Sequence, residues 1–427
     1  MVDARPCIAT TPRPSGNPEA ALKGTEADLL IAGAGAAGLS CAAHLSLQGR
    51  TRSIRVLLLE PRSAYTRDRT WCFWNVIRHP FEECVSHRWP TWRVSHADRT
   101  VERSWPGLSY QHLPSDAFYD RALALLDADP NVEIRLGVQV DRLEVNPRRT
   151  AEVEAFTSEG PVRARLAIDT RPRRVRIGHE GLPGPRVGRL LQHFHGQTIR
   201  VEAPLFHPEV ATVMDFFDAG DDGIHFMYLL PFDTRTALIE DTWFSTQPLP
   251  VERYQGEISG YLASRFGVSR FEVLHSETGA IPMDPAPVPA ADGPRILDAG
   301  IRGGAARPST GYAFLAIQRH ADSLARRLAA WADNPSGEAP RAPRYYSPRS
   351  QFLDRVFVSY VARNPQQAPE LFLRMFERVR PDALVRFLFD GGRLADDLRV
   401  MSALPAAPLI GETWRQYVGA AIPGERG

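Results

Sequence analysis

A chain of 427 residues with 51 basic and 50 acidic side chains, a net charge of +1 and 43% hydrophobic residues has a globular composition, with length enough for two or more cooperating domains. The balanced charge gives no reason to expect a nucleic-acid partner. No apolar run approaches the roughly 18 residues of a membrane span, so a membrane would be met from its surface.

Residues 1–26 are rich in Pro, Thr and Ala and lack the apolar core of a signal peptide, so they read as a disordered tail. From Asp28 to Glu60 the chain reads as strand, glycine turn, small-residue helix, second strand and terminal acid. Gly33 permits the tight turn, Gly35 lets the backbone approach a pyrophosphate, and Gly38 lets the helix lie close on the sheet. The helix N-terminus offers N–H groups to the phosphates. Glu60 stands where an acid accepts hydrogen bonds from an adenosine ribose. An acid there, rather than a nearby arginine, speaks against a 2′-phosphate and fits the adenosine half of FAD or NAD. Cys7, Cys41, Cys72 and Cys84 lack CxxC spacing, and the pattern of histidines around them does not read as a ligand set. No metal site is expected, and the four read as reduced thiols in a cytoplasmic protein.

Pro61 to Ser63 lead, through Asp68 and Arg69, into an aromatic cluster of Trp71, Phe73 and Trp74. Ser115 to Ala128 reads as a helix with Ser115 as its N-cap. Residues 131–136, 139–145 and 151–157 alternate like the strands of a meander. Leu166 to Asp169 reads as a buried strand. A β-rich region follows over 192–201, 211–217, 224–230 and 236–243, its last two strands joined by the turn residues Pro231 to Arg235. Val251 to Phe266 reads as a helix, Ile296 to Asp298 as a strand, and Gly300 to Gly311 as a second glycine-bearing loop ahead of a helix from Tyr312 to Trp331. From Gln351 onward the pattern is helical.

The expected fold is therefore α/β. A Rossmann-like dinucleotide domain, 27–180 plus 270–332, is interleaved with a β-sheet substrate domain at 181–269 and followed by a helical C-terminal region at 345–427. A late loop and helix closing over an early nucleotide turn favours FAD over NAD.

Four stretches carry a family resemblance: Phe226 to Pro231, Ile239-Glu240-Asp241-Thr242, Arg307-Pro308-Ser309-Thr310-Gly311-Tyr312, and Arg386 to Phe389. Together they resemble the bacterial lycopene cyclase family, from about residue 27 to residue 412. The resemblance implies bound FAD that works reduced and NAD(P)H as reductant. It also implies lycopene or a related acyclic carotenoid as substrate, and peripheral association with the inner face of a membrane. The reaction implied is non-redox closure of linear polyene ends into rings.

That chemistry needs a protonated acid in an apolar pocket and π-rich or negative groups beside a cation. Glu240, at the end of the apolar run Ala237-Leu238-Ile239, would be desolvated and its pKa raised. It matches the family's catalytic glutamate; the bland reading is an edge-strand carboxylate in water. Asp241 faces the other side of a regular strand, and joins Trp71, Phe73 and Trp74 as substrate-side candidates, with core packing as their alternative. Gly303, Gly304 and Gly311 are the flavin-side candidates. The stretch Leu371 to Val379 reads as an amphipathic helix that either packs on a core or meets a membrane. A flavin-dependent monooxygenase acting on an apolar substrate is the competing reading. Against it, the second loop opens Gly300-Ile301 where such hydroxylases carry Gly-Asp.

Overall fold

The computed structural model describes residues 26–145, 152–173, 190–283, 288, 291–335, 337–405 and 411–413. The tail expected at 1–26 lies almost wholly outside them. In chain order the first elements are β1 (Ala27–Ala32), α1 (Ala36–Leu47), β2 (Val56–Glu60), β3 (Thr70–Trp74), β4 (His87–Trp89), β5 (Thr91–His96), β6 (Arg99–Ser104) and β7 (Tyr110–Pro114). Then come α2 (Ser115–Asp127), β8 (Val132–Leu136), β9 (Val140–Val145), β10 (Val153–Thr157), β11 (Gly160–Asp169), β12 (Leu191–Arg200), β13 (Val210–Phe217), β14 (Ile224–Pro231) and β15 (Thr236–Ser245). The chain closes with α3 (Val251–Phe266), β16 (Glu272–Pro282), β17 (Ile296–Asp298), α4 (Phe314–Asp333), α5 (Pro348–Arg363), α6 (Ala368–Arg378), α7 (Pro381–Leu388) and α8 (Leu394–Ala403).

The first sheet runs β8-β2-β1-β11-β10-β9, with β17 also paired to β11. Leu29, Leu30 and Ile31 have no exposed surface because helices and loops cover both faces of β1. The pairs β8–β2, β2–β1, β1–β11 and β11–β17 are parallel, whereas β9–β10–β11 is an antiparallel meander. The meander expected over 131–157 is thus shifted by one strand. β8 joins the opposite edge, beside β2, and β11 begins at Gly160 rather than Leu166. Alternation alone marks a strand but not its neighbour. Ser115 does not cap α2 either; the cap is Pro114, and the Ser115 hydroxyl accepts from the Asp68 and Arg69 amides at 3.0 and 3.2 Å.

The second sheet has the order β16-β12-β15-β14-β13-β5-β6, antiparallel except for β5 beside β13. It recruits β5, β6 and β16 from stretches allotted above to the nucleotide domain, so the sheet spreads well beyond 181–269. A third, small sheet has the order β3-β7-β4. The C-terminal helices close the molecule. The apolar face of α6 is not a membrane face: Leu371, Phe372, Met375 and Phe376 are buried against β5 and β6. Phe372 stacks on Phe216 at 5.6 Å, and Arg103 donates to the Phe376 carbonyl at 2.9 Å. The surface apolar stripe lies instead on α8, where Leu394, Leu398 and Met401 are 61%, 57% and 50% exposed. Among the described residues no helix is long and apolar enough to cross a membrane.

Candidate active site

The glycine turn leaves β1 and enters α1 with almost no room for side chains. A Cβ on Gly38 would lie 2.0 Å from the Gly33 carbonyl oxygen, and one on Gly33, at φ +93°, would lie 2.6 Å from Thr170 Oγ1. Gly35 meets only Arg62 Nη2, at 3.7 Å, so its outer side is open to close approach. No side chain caps α1, which leaves its first-turn amides to an anion. Glu60 is buried at the end of β2. Its carboxylate accepts from the Ala34 amide at 2.7 Å and from Arg62 Nε at 2.7 Å. The acid therefore braces the turn, and Arg62 does stand nearby, its guanidinium 4.7 Å from the Tyr65 ring centroid. The argument against a 2′-phosphate from a missing arginine loses its premise. These residues fit a dinucleotide: a backbone cradle that any Cβ would fill, uncapped helix amides, and an acid with an arginine at its rim.

The second loop lies against the first helix. A Cβ on Gly300, at φ +66°, would meet Ala37 Cβ at 2.7 Å, and the Gly300 amide donates to Tyr345 Oη at 2.6 Å. Gly303 closes on the Asp298 carbonyl, and Gly304, at φ +90°, packs beside Val288. A Cβ on Gly311 would sit 2.2 Å from Gln192 Oε1 on β12, so this loop also touches the second sheet. Arg307 fixes it from behind. The side chain is 1% exposed, pairs with Asp354 at 3.0 Å, and donates to the Phe387 carbonyl. Ser309 donates to the same carboxylate at 2.7 Å. Tyr312 stacks on Phe389 at 4.9 Å. Two of the recognisable stretches, distant in sequence, are thus one contact.

Glu240 lies on β15 with its side chain on the face that looks toward β3 and this loop. Thr242, two residues on and on the same face, donates to Glu240 Oε1 at 2.8 Å. Burial, then the nearby Glu277 carboxyl, push the Glu240 pKa up from 4.5 to about 8, against the Thr242 hydrogen bond. Cys72 and Tyr228 are also held far above their ordinary values by burial, with Glu240 among the further causes for both. Tyr312 is raised by burial as well. Cys72, Tyr228, Glu240 and Tyr312 each keep some accessible surface. Groups that are strongly desolvated yet not sealed in line an enclosed space rather than bulk water.

Strand alternation sorts the aromatic candidates. Trp74, on the Cys72 side of β3, packs edge-on to Tyr312 at 6.1 Å and tilts against Tyr110 at 4.6 Å. Trp71 and Phe73 point the other way, to Phe314 at the start of α4, each at 5.1 Å. They flank α4 rather than Glu240. Asp241 is likewise turned away. It is fully buried on the far side of the sheet, 2.6 Å from His225 Nε2, and His225 stacks on Trp243 at 4.1 Å. Burial raises the Asp241 pKa against this partner. Among the described residues no group of three or more His, Cys, Asp or Glu side chains could hold a metal ion.

Glu277, Cys72, Tyr110, Tyr228 and Arg62 complete the surroundings and were not singled out by sequence as site residues. Tyr228 and Tyr312 lie within the recognisable stretches, which was the available signal. Glu277 carried none, since nothing marked 272–282 as a strand of the second sheet.

The family model "Lycopene cyclase protein" matches residues 28–412. The chain is 26% identical to a lycopene beta-cyclase of Pseudescherichia vulneris over 409 residues, covering 91% of this chain and 96% of that one. It is 28% identical to one from a Paracoccus species over 395 residues, covering 90% and 95%. Among solved structures, a geranylgeranyl bacteriochlorophyll reductase-like protein of Thermoplasma acidophilum superposes with a TM-score of 0.56 at 12% identity, covering 93% of this chain and 99% of that one. A variant of the halogenase PltM in complex with FAD gives 0.57 at 14%, covering 93% and 97%. The fold is that of the FAD-dependent flavoproteins, a Rossmann-like sheet with a helical C-terminal region.

Proposed function

We propose that this chain, which belongs to the lycopene cyclase family, closes the linear ends of lycopene or a related acyclic carotenoid into rings of the β type. Carotenoid biosynthesis follows from the family. The observation that carries the reading is the burial of Glu240 beside Cys72, Tyr228 and Glu277, which pushes its pKa up to about 8. Near neutrality it holds a proton to give, because its surroundings disfavour the carboxylate. That makes it an acid suited to an alkene rather than a base.

Glu240 gives its proton to the terminal double bond, with Thr242 fixing the carboxyl's orientation. The tertiary cation is attacked by the neighbouring double bond, and loss of a proton ends the reaction with no net oxidation. Tyr228 and Tyr312 face the cation with π-rich surfaces, backed by the buried Trp74 and Tyr110, and keep water out. Gly33, Gly35, Gly38, Glu60 and Arg62 would hold the adenosine and pyrophosphate of FAD. Gly303, Gly304, Gly311 and the uncapped N-terminus of α4 would stand at its ring. When bound, reduced FAD would supply electron density that stabilises a cation, with NAD(P)H as its reductant. Trp71 and Phe73 support that side by packing on Phe314.

A C40 polyene stays in lipid, so the chain works at a membrane surface, at the cytoplasmic face. The exposed Leu394, Leu398 and Met401 of α8, with Arg393 and Arg399 beside them, suit an interfacial contact.

Anaerobic incubation with lycopene, FAD and NADPH tests the reading. Cyclic hydrocarbon is expected, with no stoichiometric cofactor oxidation. In a parallel incubation in air, hydroxylated product with matching oxygen uptake, and no ring product without oxygen, would instead assign the chain to the monooxygenases whose fold it shares.

A further inference from the structure

Two carboxyls, not one, reach the space in front of β15. On the adjacent strand β12, Gly196 stands directly opposite Glu240, and on its other side directly opposite Glu277 of β16. The two acids are two strands apart, roughly 10 Å at the backbone. The missing side chain between them lets both lean inward: a Cβ on Gly196 would lie 3.6 Å from Glu240 Cβ and 3.4 Å from Glu277 Cγ. Glu277 is 8% exposed, and its Oε2 is buried without a hydrogen-bond partner.

Resting on the cyclase reading above, we propose that Glu277 is the base of the reaction: it takes the proton lost by the ring cation and returns it to Glu240 across the gap at Gly196. The steps balance. The Glu240 O–H bond breaks as its proton joins the terminal alkene carbon, using that π pair. The ring closes with the second π pair. A C–H bond beside the cation then breaks, its electron pair becomes the ring double bond, and the proton passes to Glu277 Oε2. Transfer of that proton to the Glu240 carboxylate restores both side chains. No electron is gained or lost and no co-reactant is consumed.

The environments of the two acids differ in the direction this division needs. Glu240 is faced by Cys72 from β3, Tyr228 from β14, Thr242 from its own strand and Glu277 from β16, and feels Asp241 through the sheet, with no cation among them. Glu277 is faced by Thr70, Arg67, Asp68 and Arg69. Burial raises the Glu277 pKa on balance, but the two arginines and Thr70 offset part of that rise, where Glu240 has only Thr242 to offset its own. Paired acids whose surroundings pull them apart divide into donor and acceptor. The unpartnered Oε2 is the oxygen that remains to accept.

The test compares wild type, Glu277→Gln and Glu277→Asp, each loaded with FAD and given lycopene. Glu277→Gln should bind FAD with the wild-type spectrum and form rings about 100-fold more slowly or worse. Its residual product should show a shifted ring double bond, because the cation waits for another base. Glu277→Asp keeps the carboxyl and should keep the wild-type isomer ratio. The wild-type pH–rate profile should be bell-shaped, its acidic limb above the ordinary glutamate value of 4.5. A Glu277→Gln rate within threefold of wild type overturns the proposal, as does a lost rate with an unchanged isomer ratio, which marks a positioning role. A wild-type profile with no acidic limb overturns it independently of how either variant folds. A wild type that closes no ring sinks the cyclase reading itself.

Discussion

Replacing Glu240 with Gln should abolish ring closure and yet stabilise the protein. The folded-state pKa is raised from 4.5 to about 8, so between those values the folded chain keeps a proton that the unfolded chain releases. The stability this group permits is full below about pH 4.5 and is lost as pH rises through about 8. At about 1.4 kcal/mol per pH unit, the loss is on the order of 3 kcal/mol at pH 7 and on the order of 5 above pH 8. Gln, neutral in both states, escapes this loss. Thermal melts of the FAD-loaded proteins should therefore coincide near pH 4, with the variant pulling ahead by several degrees by neutral pH. Ring formation should fall at least 100-fold at every pH. A variant that is less stable than wild type, or whose advantage does not change with pH, would refute the buried-acid argument.

Gly38→Ala puts a Cβ against the Gly33 carbonyl at 2.0 Å, and the purified variant should show little or no flavin absorbance. Arg307→Met strands the buried Asp354 carboxylate, at a cost of about 3–5 kcal/mol. It should lower the melting temperature and weaken FAD retention together, because the loop it anchors also carries Gly303, Gly304 and Gly311. In flotation with anionic liposomes, Leu394→Asp with Leu398→Asp should move the protein from the lipid to the soluble fraction while leaving its melt unchanged. Phe372→Asp, on the buried face of α6, should unfold it; loss of flotation in a folded Phe372 variant alone would place the lipid contact on α6 instead.

The parts of the site that are legible in one dimension are those whose work is local. Gly33, Gly35 and Gly38 are spaced by one turn and one helix start, and Glu60 follows at the end of the next strand. Glu240 is legible for the same reason, since its desolvation follows from the apolar residues before it. Face is legible too: alternation correctly separates Asp241 from Glu240. What alternation does not carry is which strands are neighbours. It leaves β8 in the wrong meander and β5, β6 and β16 in the wrong sheet, and so hides Glu277, whose relation to Glu240 exists only through the register at Gly196. The face of Trp71 and Phe73 depends on where β3 lies, and α6 shows why an amphipathic stripe is ambiguous. The same spacing that suits a lipid surface suits the hydrophobic backs of β5 and β6, and the partner decides. The α8 stripe, by contrast, has no such partner among the described residues and stays outside.

The claim on which the rest depends is that the carboxyl at position 240 is uncharged when the enzyme works. Infrared difference spectra of the FAD-loaded protein across neutral to alkaline pH read this directly. A protonated-carboxyl band should persist at neutral pH, disappear with a midpoint near pH 8 and be missing in Glu240→Gln. The same band in both proteins, or no band at neutral pH in either, would contradict the account.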